Sequence, residues 1–428
     1  MATALAPYRA VLSRPGAVVF STGGLVARLP MAMVSLGIVL LVADRTGSYQ
    51  QAGVVSALFL LANASGAVVQ ARCIDRWGQA RVLALAAAGC TVGLAGLVLA
   101  VETGAHRPWP HLCAVVAGAL LPQIGASVRA RWANLLDDRT ELRTAFAYES
   151  VLDELVFIVG PAFVTVLATA VHPAAGLVFA AAATMVGTAV LVGHASTTPP
   201  VALRRQDRSR PAMPWRVLAP LVGCAVAMGA LLGGSEVATV AFAAGRGSTG
   251  LSGALLSVWA VGSLLSGIAV GAVRSQASAA TQFRRCAVAL GLLVVPLPFA
   301  SSVPLLGACL FVSGCAISPT LVAAFARIEE AVPDSRLTEG ITVFTTGIGA
   351  GLAVGAGLTG WAVDAGGHAA GFWVPVAAGL GLAALAAAFT GDRRGARTGG
   401  HPVQSGAPSM TLATSPATAL PDGTTGES

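Results

Sequence analysis

The sequence predicts an all-α polytopic membrane protein with twelve transmembrane helices in two pseudo-symmetric six-helix bundles. Three observations carry that expectation. Hydrophobic residues make up 55% of the 428 and charged residues only 11%, whereas a soluble domain carries about 25% charge. The apolar residues fall in twelve runs, each near the ~20 residues that a helix needs to cross hydrocarbon. The arginines crowd onto alternate loops, as the positive-inside rule requires.

The runs lie at roughly 16–43, 48–70, 82–101, 111–133, 146–170, 173–194, 217–243, 250–273, 285–302, 304–326, 338–363 and 370–390. Residues 1–15 read as a cytoplasmic N-terminus. Arg9 and Arg14 precede the first run without a small-residue cleavage site after it, so that run reads as a retained span rather than a signal peptide. Residues 16–196 form the N-terminal bundle and 217–390 the C-terminal bundle, joined by a basic cytoplasmic linker at 197–216. Residues 391–428 are rich in Gly, Ser, Thr and Pro without apolar periodicity and are expected to be a disordered cytoplasmic tail.

With the N-terminus inside, only Arg45, Arg107 and Arg246 fall on external loops. Both termini are then cytoplasmic, and the chain is expected to be a multi-pass protein of the cell's inner (plasma) membrane. The formal net charge of +7 is accounted for by those cytoplasmic loops and gives no reason to invoke a nucleic-acid partner. All basic residues except histidine are arginine. Seven scattered cysteines include no CxxC pair and have no histidine beside them, which indicates neither a metal site nor a disulfide framework. No Walker loop is present, and no His-rich or Ser/His cluster of an enzyme. The chain is therefore expected to be no enzyme, to need no cofactor, and to act as a monomer in the lipid bilayer.

The halves repeat each other. A shift of 201 residues lays Arg45 on Arg246, Ser56 on Ser257, and Ser65-Gly66 on Ser266-Gly267. Two repeated bundles are what a rocking transporter needs, with cargo held near midplane between them.

The second-to-third loop is more specific. Ala71-Arg-Cys-Ile-Asp75-Arg76-Trp-Gly78-Gln-Ala-Arg81 resembles the GxLaDRxGrRr loop of the major facilitator superfamily, with Ala71 in place of the leading glycine. The resemblance implies that Asp75, Arg76, Gly78 and Arg81 form a cytoplasmic latch facing the start of the eleventh helix. The equivalent loop near Gly271–Gln276 keeps only Arg274. In the fifth run, Gly160-Pro161 resembles the Gly-Pro signature of the drug/proton antiporter branch, with Val156 and Val164 where flanking glycines would stand. That likeness implies a helix-five kink and efflux in exchange for protons.

Charges inside the spans cost several kcal/mol unless they face a partner or a cavity. All six histidines lie in loops, span ends or the tail, so proton coupling falls to carboxylates. The candidates are Asp153, Glu154 and Glu236; Glu149 reads as nearer the membrane interface. Asp153 and Glu154 point about 100° apart on a helix, so they cannot share a face. Arg28, about midway along the first span, is the expected partner of one of them. Glu236 aligns with Ser35 under the same shift. Arg129 reads as pairing with Glu149 or snorkelling. Asn63, Gln123, Trp259 and Phe344 are possible cavity residues. The expected function is secondary active transport by alternating access: proton-coupled efflux of a small, fairly apolar compound. Proton-coupled uptake of a small metabolite is the alternative. A non-transporting sensor on the same fold would call for a large soluble appendage, which the short tail does not supply.

Overall fold

The computed structural model describes residues 6–106, 108–199, 212–272, 277–333 and 336–388. The basic run of the linker and the tail beyond Ala388 fall outside these residues, so the cytoplasmic linker and the disordered tail stay expectations. Among the described residues there is no strand, and fourteen α-helices follow in order. They are α1 (Ala6–Leu12), α2 (Ala17–Thr46), α3 (Tyr49–Trp77), α4 (Gln79–Glu102), α5 (Pro108–Ala119), α6 (Ile124–Leu135) and α7 (Arg139–Ala170). The rest are α8 (Ala175–Gly193), α9 (Trp215–Ala244), α10 (Leu251–Ala272), α11 (Ala279–Leu293), α12 (Val303–Gly314), α13 (Ile317–Ala331) and α14 (Leu337–Ala388).

Twelve crossings result, in the predicted order. The fourth is α5 plus α6 and the tenth is α12 plus α13, each interrupted near its middle. The eleventh and twelfth are the two arms of α14, which turns at Gly367 (φ 79°, ψ −179°), a conformation that side chains with a Cβ rarely adopt. The short α1 ahead of the first crossing was not anticipated.

In the first half α2 packs along α7, α8 and α3, while α4 and α3 pack along α5. In the second half α9 packs along α14, α10 along α12, and α11 along α13 and α14. Lipid tails are as apolar as leucine, so close backbone approach holds such helices together rather than a hydrophobic drive. The α9–α14 seam shows how close. A Cβ on Gly355 would collide with the Ala230 carbonyl oxygen. Gly355→Leu is therefore expected to force the seam apart. The measure is the fraction of detergent-extracted protein that stays monodisperse on size exclusion, which should fall severalfold against wild type.

The halves meet through α3 on α14, α7 on α10 and α2 on α9. The contacts that can be named run from the end whose loops are poor in arginine to the middle of these helices. Gly360 lies against the Tyr49 carbonyl, Gly53 against that of Ala356, and Gly349 against Ala64. On the other seam Gly253 lies against the Pro161 carbonyl, and Ser257 donates to the Ile158 carbonyl. Asp364 of α14 closes this end. It accepts from Ser48 Oγ (2.6 Å) and from the amides of Tyr49 (2.8 Å) and Gln50 (2.9 Å), capping the start of α3. A carboxylate there satisfies free helix amides and meets the positive end of the helix dipole.

The arginine-rich end is different. Asp75, Arg76 and Arg81 are exposed. Asp75 has no ion pair or hydrogen bond among the described residues, and Arg76 lies over the ring of its neighbour Trp77. Gly78 has a local reason to be glycine. It joins α3 to α4 in one residue at φ 84° and donates its amide to the Ile74 carbonyl.

Candidate functional site

The interruption of the fourth crossing makes the site. Pro122 and Gln123 break the helix, so α6 begins at midspan with its amide end facing inward. The Ile124 amide donates to the Pro122 carbonyl and that of Ser127 to Gln123. Those of Gly125 and Ala126 find no acceptor among the described residues. Around this helix start lies a pocket of about 170 Å³ lined by Arg28, Met31, Asn63, Gln123, Gly125, Arg129 and Asp153, among others.

Four charged side chains converge here. Arg28 of α2 reaches Glu149 Oε2 with Nη2 at 2.6 Å and Asp153 Oδ1 with Nη1 at 3.1 Å. Arg129 of α6 reaches the other Asp153 oxygen at 2.6 Å. Asp153 thus bridges two guanidiniums. Two positive and two negative charges leave the cluster neutral, which is how it survives at this depth.

The four differ in access. The Arg28 side chain is 2% exposed and that of Glu149 0%, whereas Asp153 is 23% and Arg129 34% exposed. Glu149 is fully committed: besides Arg28, it accepts from Trp132 Nε1 at 2.7 Å and Ser21 Oγ at 3.0 Å. The inner pair is a structural pin between α2, α6 and α7. The outer pair faces the pocket.

These positions correct two expectations. Glu149, expected nearer the interface and so open to water, is completely buried within the protein, because side chains of α2 and α6 cover it. Arg129 neither snorkels nor meets Glu149; it meets Asp153. The Arg28–Asp153 contact forms as expected, and no Arg28–Glu154 contact does. Glu154 shares a helix face with Ile158, Pro161 and Thr165, the residues that touch α10. It lies one turn beyond their last named contact, half-buried and without a partner among the described residues.

Glu236 of α9 stands apart from this cluster. It accepts from Ser35 Oγ at 2.9 Å, and Ser35 also pairs with Ser56 at 3.0 Å, where the two halves touch. Gly160 and Pro161 lie within an unbroken α7. Gly160 faces Ala32 of α2, where a Cβ would come within 2.8 Å. Of the possible cavity residues, Asn63 and Gln123 line the pocket and hydrogen-bond each other at 3.2 Å. Trp259 and Phe344 do not line it. Trp259 is buried against Gly314, and Phe344 packs on Phe325 with ring centroids 5.6 Å apart. Trp132 and Ser21, which complete the Glu149 shell, had no signal in the sequence beyond being polar-capable residues in apolar runs.

Arg131, two residues from Arg129, plays a different part. It is fully buried and donates to Gln79 (3.2 Å), the His194 carbonyl (2.8 Å) and Thr197 (3.0 Å), tying the arginine-rich ends of three crossings together.

No protein-family profile and no curated protein matches the chain. Solved structures do. The nucleoside transporter NupG superposes with a TM-score of 0.63 at 16% identity, over 87% of this chain and 97% of that one. A D-xylose-proton symporter gives 0.65 at 14%, over 86% and 96%. A bacterial homolog of the human lysosomal transporter Spinster, in an inward-facing and occupied conformation, gives 0.63 at 14%, over 86% and 94%. Identities this low establish the fold alone: the chain is folded as the major-facilitator-type transporters are.

Proposed function

We propose that the protein is a secondary active transporter that moves a small molecule across the membrane by alternating access, coupled to protons. One observation carries this reading: a carboxylate, Asp153, sits between two arginines at the wall of a midspan pocket. A proton on that carboxylate would remove the charge that attracts both guanidiniums, which ties protonation to conformation in this reading. The halves touch at the arginine-poor end and leave the latch residues of the other end exposed, which fits a state open toward the cytoplasm if the arginine-rich loops are cytoplasmic. A proton entering along the potential contributes about 2.3 kcal/mol per 100 mV.

Efflux by exchange with protons is what the Gly160-Pro161 likeness implies for direction. Movement of cargo and proton together is the second reading. It is favoured by Asp153 already occupying the guanidiniums a charged cargo would need. The D-xylose-proton symporter among the similar folds belongs to that second kind by its name. Asp75, Arg76, Gly78 and Arg81 act in this reading as a cytoplasmic latch that is open in this state.

Proteoliposomes holding a pH dye test the proposal. A compound panel is expected to include members that change the lumenal pH with wild type. Asp153→Asn should lose the pH-driven movement while still exchanging labelled for unlabelled compound. Unchanged pH-driven transport in Asp153→Asn would remove the coupling role. No transport of any compound by wild type would remove the transporter reading.

A further inference from the structure

We infer that the pocket at the start of α6 takes a carboxylate of the cargo, in the place that Asp153 now fills, so that the cargo is a small organic acid carried with one proton. This rests on the transporter reading above, in its form with cargo and proton moving together, and adds the substrate class to it.

The groups converging on the pocket are donors. Arg129 lines it with its side chain one-third exposed. Arg28 lines it too, buried, with an Nε that has no acceptor among the described residues. The unpaired amides of Gly125 and Ala126 complete the set. The two guanidiniums flank this helix start: a Cβ on Gly125 would lie 3.3 Å from Arg129 Nη1 and 4.0 Å from Arg28 Nε. A helix start with two free amides and a positive dipole end is a ready anion site, and a guanidinium fork matches the two oxygens of a carboxylate.

The protein already shows what fits. Asp153 places one carboxylate oxygen on each arginine. It is a tethered copy of the proposed ligand group. With Asp153 ionised the cluster is neutral and the arginines are taken. Once Asp153 gains a proton, it gives up the guanidiniums, the cluster carries one net positive charge, and one external carboxylate restores neutrality. The volume of about 170 Å³ suits a head group rather than a whole metabolite. The body of the acid would then extend past Met31 toward the space between the halves.

The groups facing Asp153 leave it as the switching group. From α2 comes Arg28 and from α6 Arg129, with Arg131 turned away to Gln79 and His194. On α7 itself Glu149 is held by Arg28, Trp132 and Ser21, and Glu154 points about 100° away. The packed helices α8 and α10 contain no titratable residue, and α1 contributes only Tyr8, stacked near Tyr148, and Arg9.

The test is binding by purified protein in nanodiscs, which needs no transport. Butyrate, benzoate and phenylacetate are titrated calorimetrically beside butyramide, benzamide and phenylacetamide. At least one acid is expected to bind and its amide not to. Its affinity should rise by up to about tenfold per pH unit as the pH falls, because one proton is taken up per anion. Asp153→Asn, which carries no charge and can accept from only one of the two guanidiniums, should bind the acid tightly and lose most of that pH dependence. Arg129→Gln should weaken binding by about tenfold or more, and Arg129→Lys should restore part of it. Equal binding of acid and amide, or no acid binding in both wild type and Asp153→Asn, would overturn the inference. Transport of non-acidic compounds with no acid binding would sink the cargo class alone and leave the transporter reading standing. Acid binding without any transport would do the reverse.

Discussion

Replacing Arg28 by Met is expected to cost most of the folded protein. The substitution leaves Glu149, with no exposed surface, facing a methyl group instead of a guanidinium 2.6 Å away. Removing one partner of a buried pair costs roughly 3–5 kcal/mol, chiefly because the remaining charge is stranded. That is a large part of a stability that totals about 5–15 kcal/mol for a typical native domain. The hydrogen bonds from Trp132 and Ser21 do not supply the missing charge. Thermal unfolding of the extracted protein is the measurement, run for Arg28→Met, Glu149→Gln and the double variant. Glu149→Gln alone leaves Arg28 with Asp153 and should be milder. The double variant should be more stable than Arg28→Met despite carrying one more change. A double variant less stable than either single one would mean that the pair is not what holds α2 to α7.

Asp364→Ala is expected to move the conformational balance rather than the stability. Three donors lose their acceptor at once, all of them at the start of α3 and across the seam between the halves. Asp364 is exposed, so water compensates much of the loss, and about 1–2 kcal/mol should remain. That is a five- to thirtyfold change in the ratio of the two states. A cysteine introduced at Val240, which lines the vestibule of about 600 Å³ at this end, reports it. Its labelling by a membrane-impermeant maleimide should quicken in the Asp364→Ala background, measured against the native cysteines alone. Unaltered labelling would mean that the glycine contacts of α3 and α14 hold the end shut without the cap.

The residues made the architecture readable and the site only half readable. Span count and halving follow from composition and period, because a bilayer forces every backbone polar group into a helix and leaves apolar runs as the visible result. The interruptions at Pro122 and near Cys315 were not read, since both sit inside apolar runs long enough to cross in one piece. Pro122 and Pro319 were the available signals. The pairing of Arg28 with Asp153 was accessible because an unpartnered midspan arginine demands a carboxylate and few were on offer. The burial of Glu149 was not. Its cover comes from Trp132 and Arg28 of other helices, and position along the fifth run carries no trace of those neighbours. The free amides of Gly125 and Ala126 were equally out of reach, because they exist only once the fourth crossing breaks.

The contact between Ser35 and Glu236 has a consequence for how the two halves could diverge. The two positions are 201 apart, the same spacing that relates one bundle to the other. Each therefore meets its own counterpart where the bundles touch. A duplicated ancestor with glutamate at both would have set two carboxylates face to face, and with serine at both would have had no acid there at all. The present pair is the combination that keeps one carboxyl group and gives it a donor. Such a self-facing position is where a repeat protein is first obliged to become asymmetric.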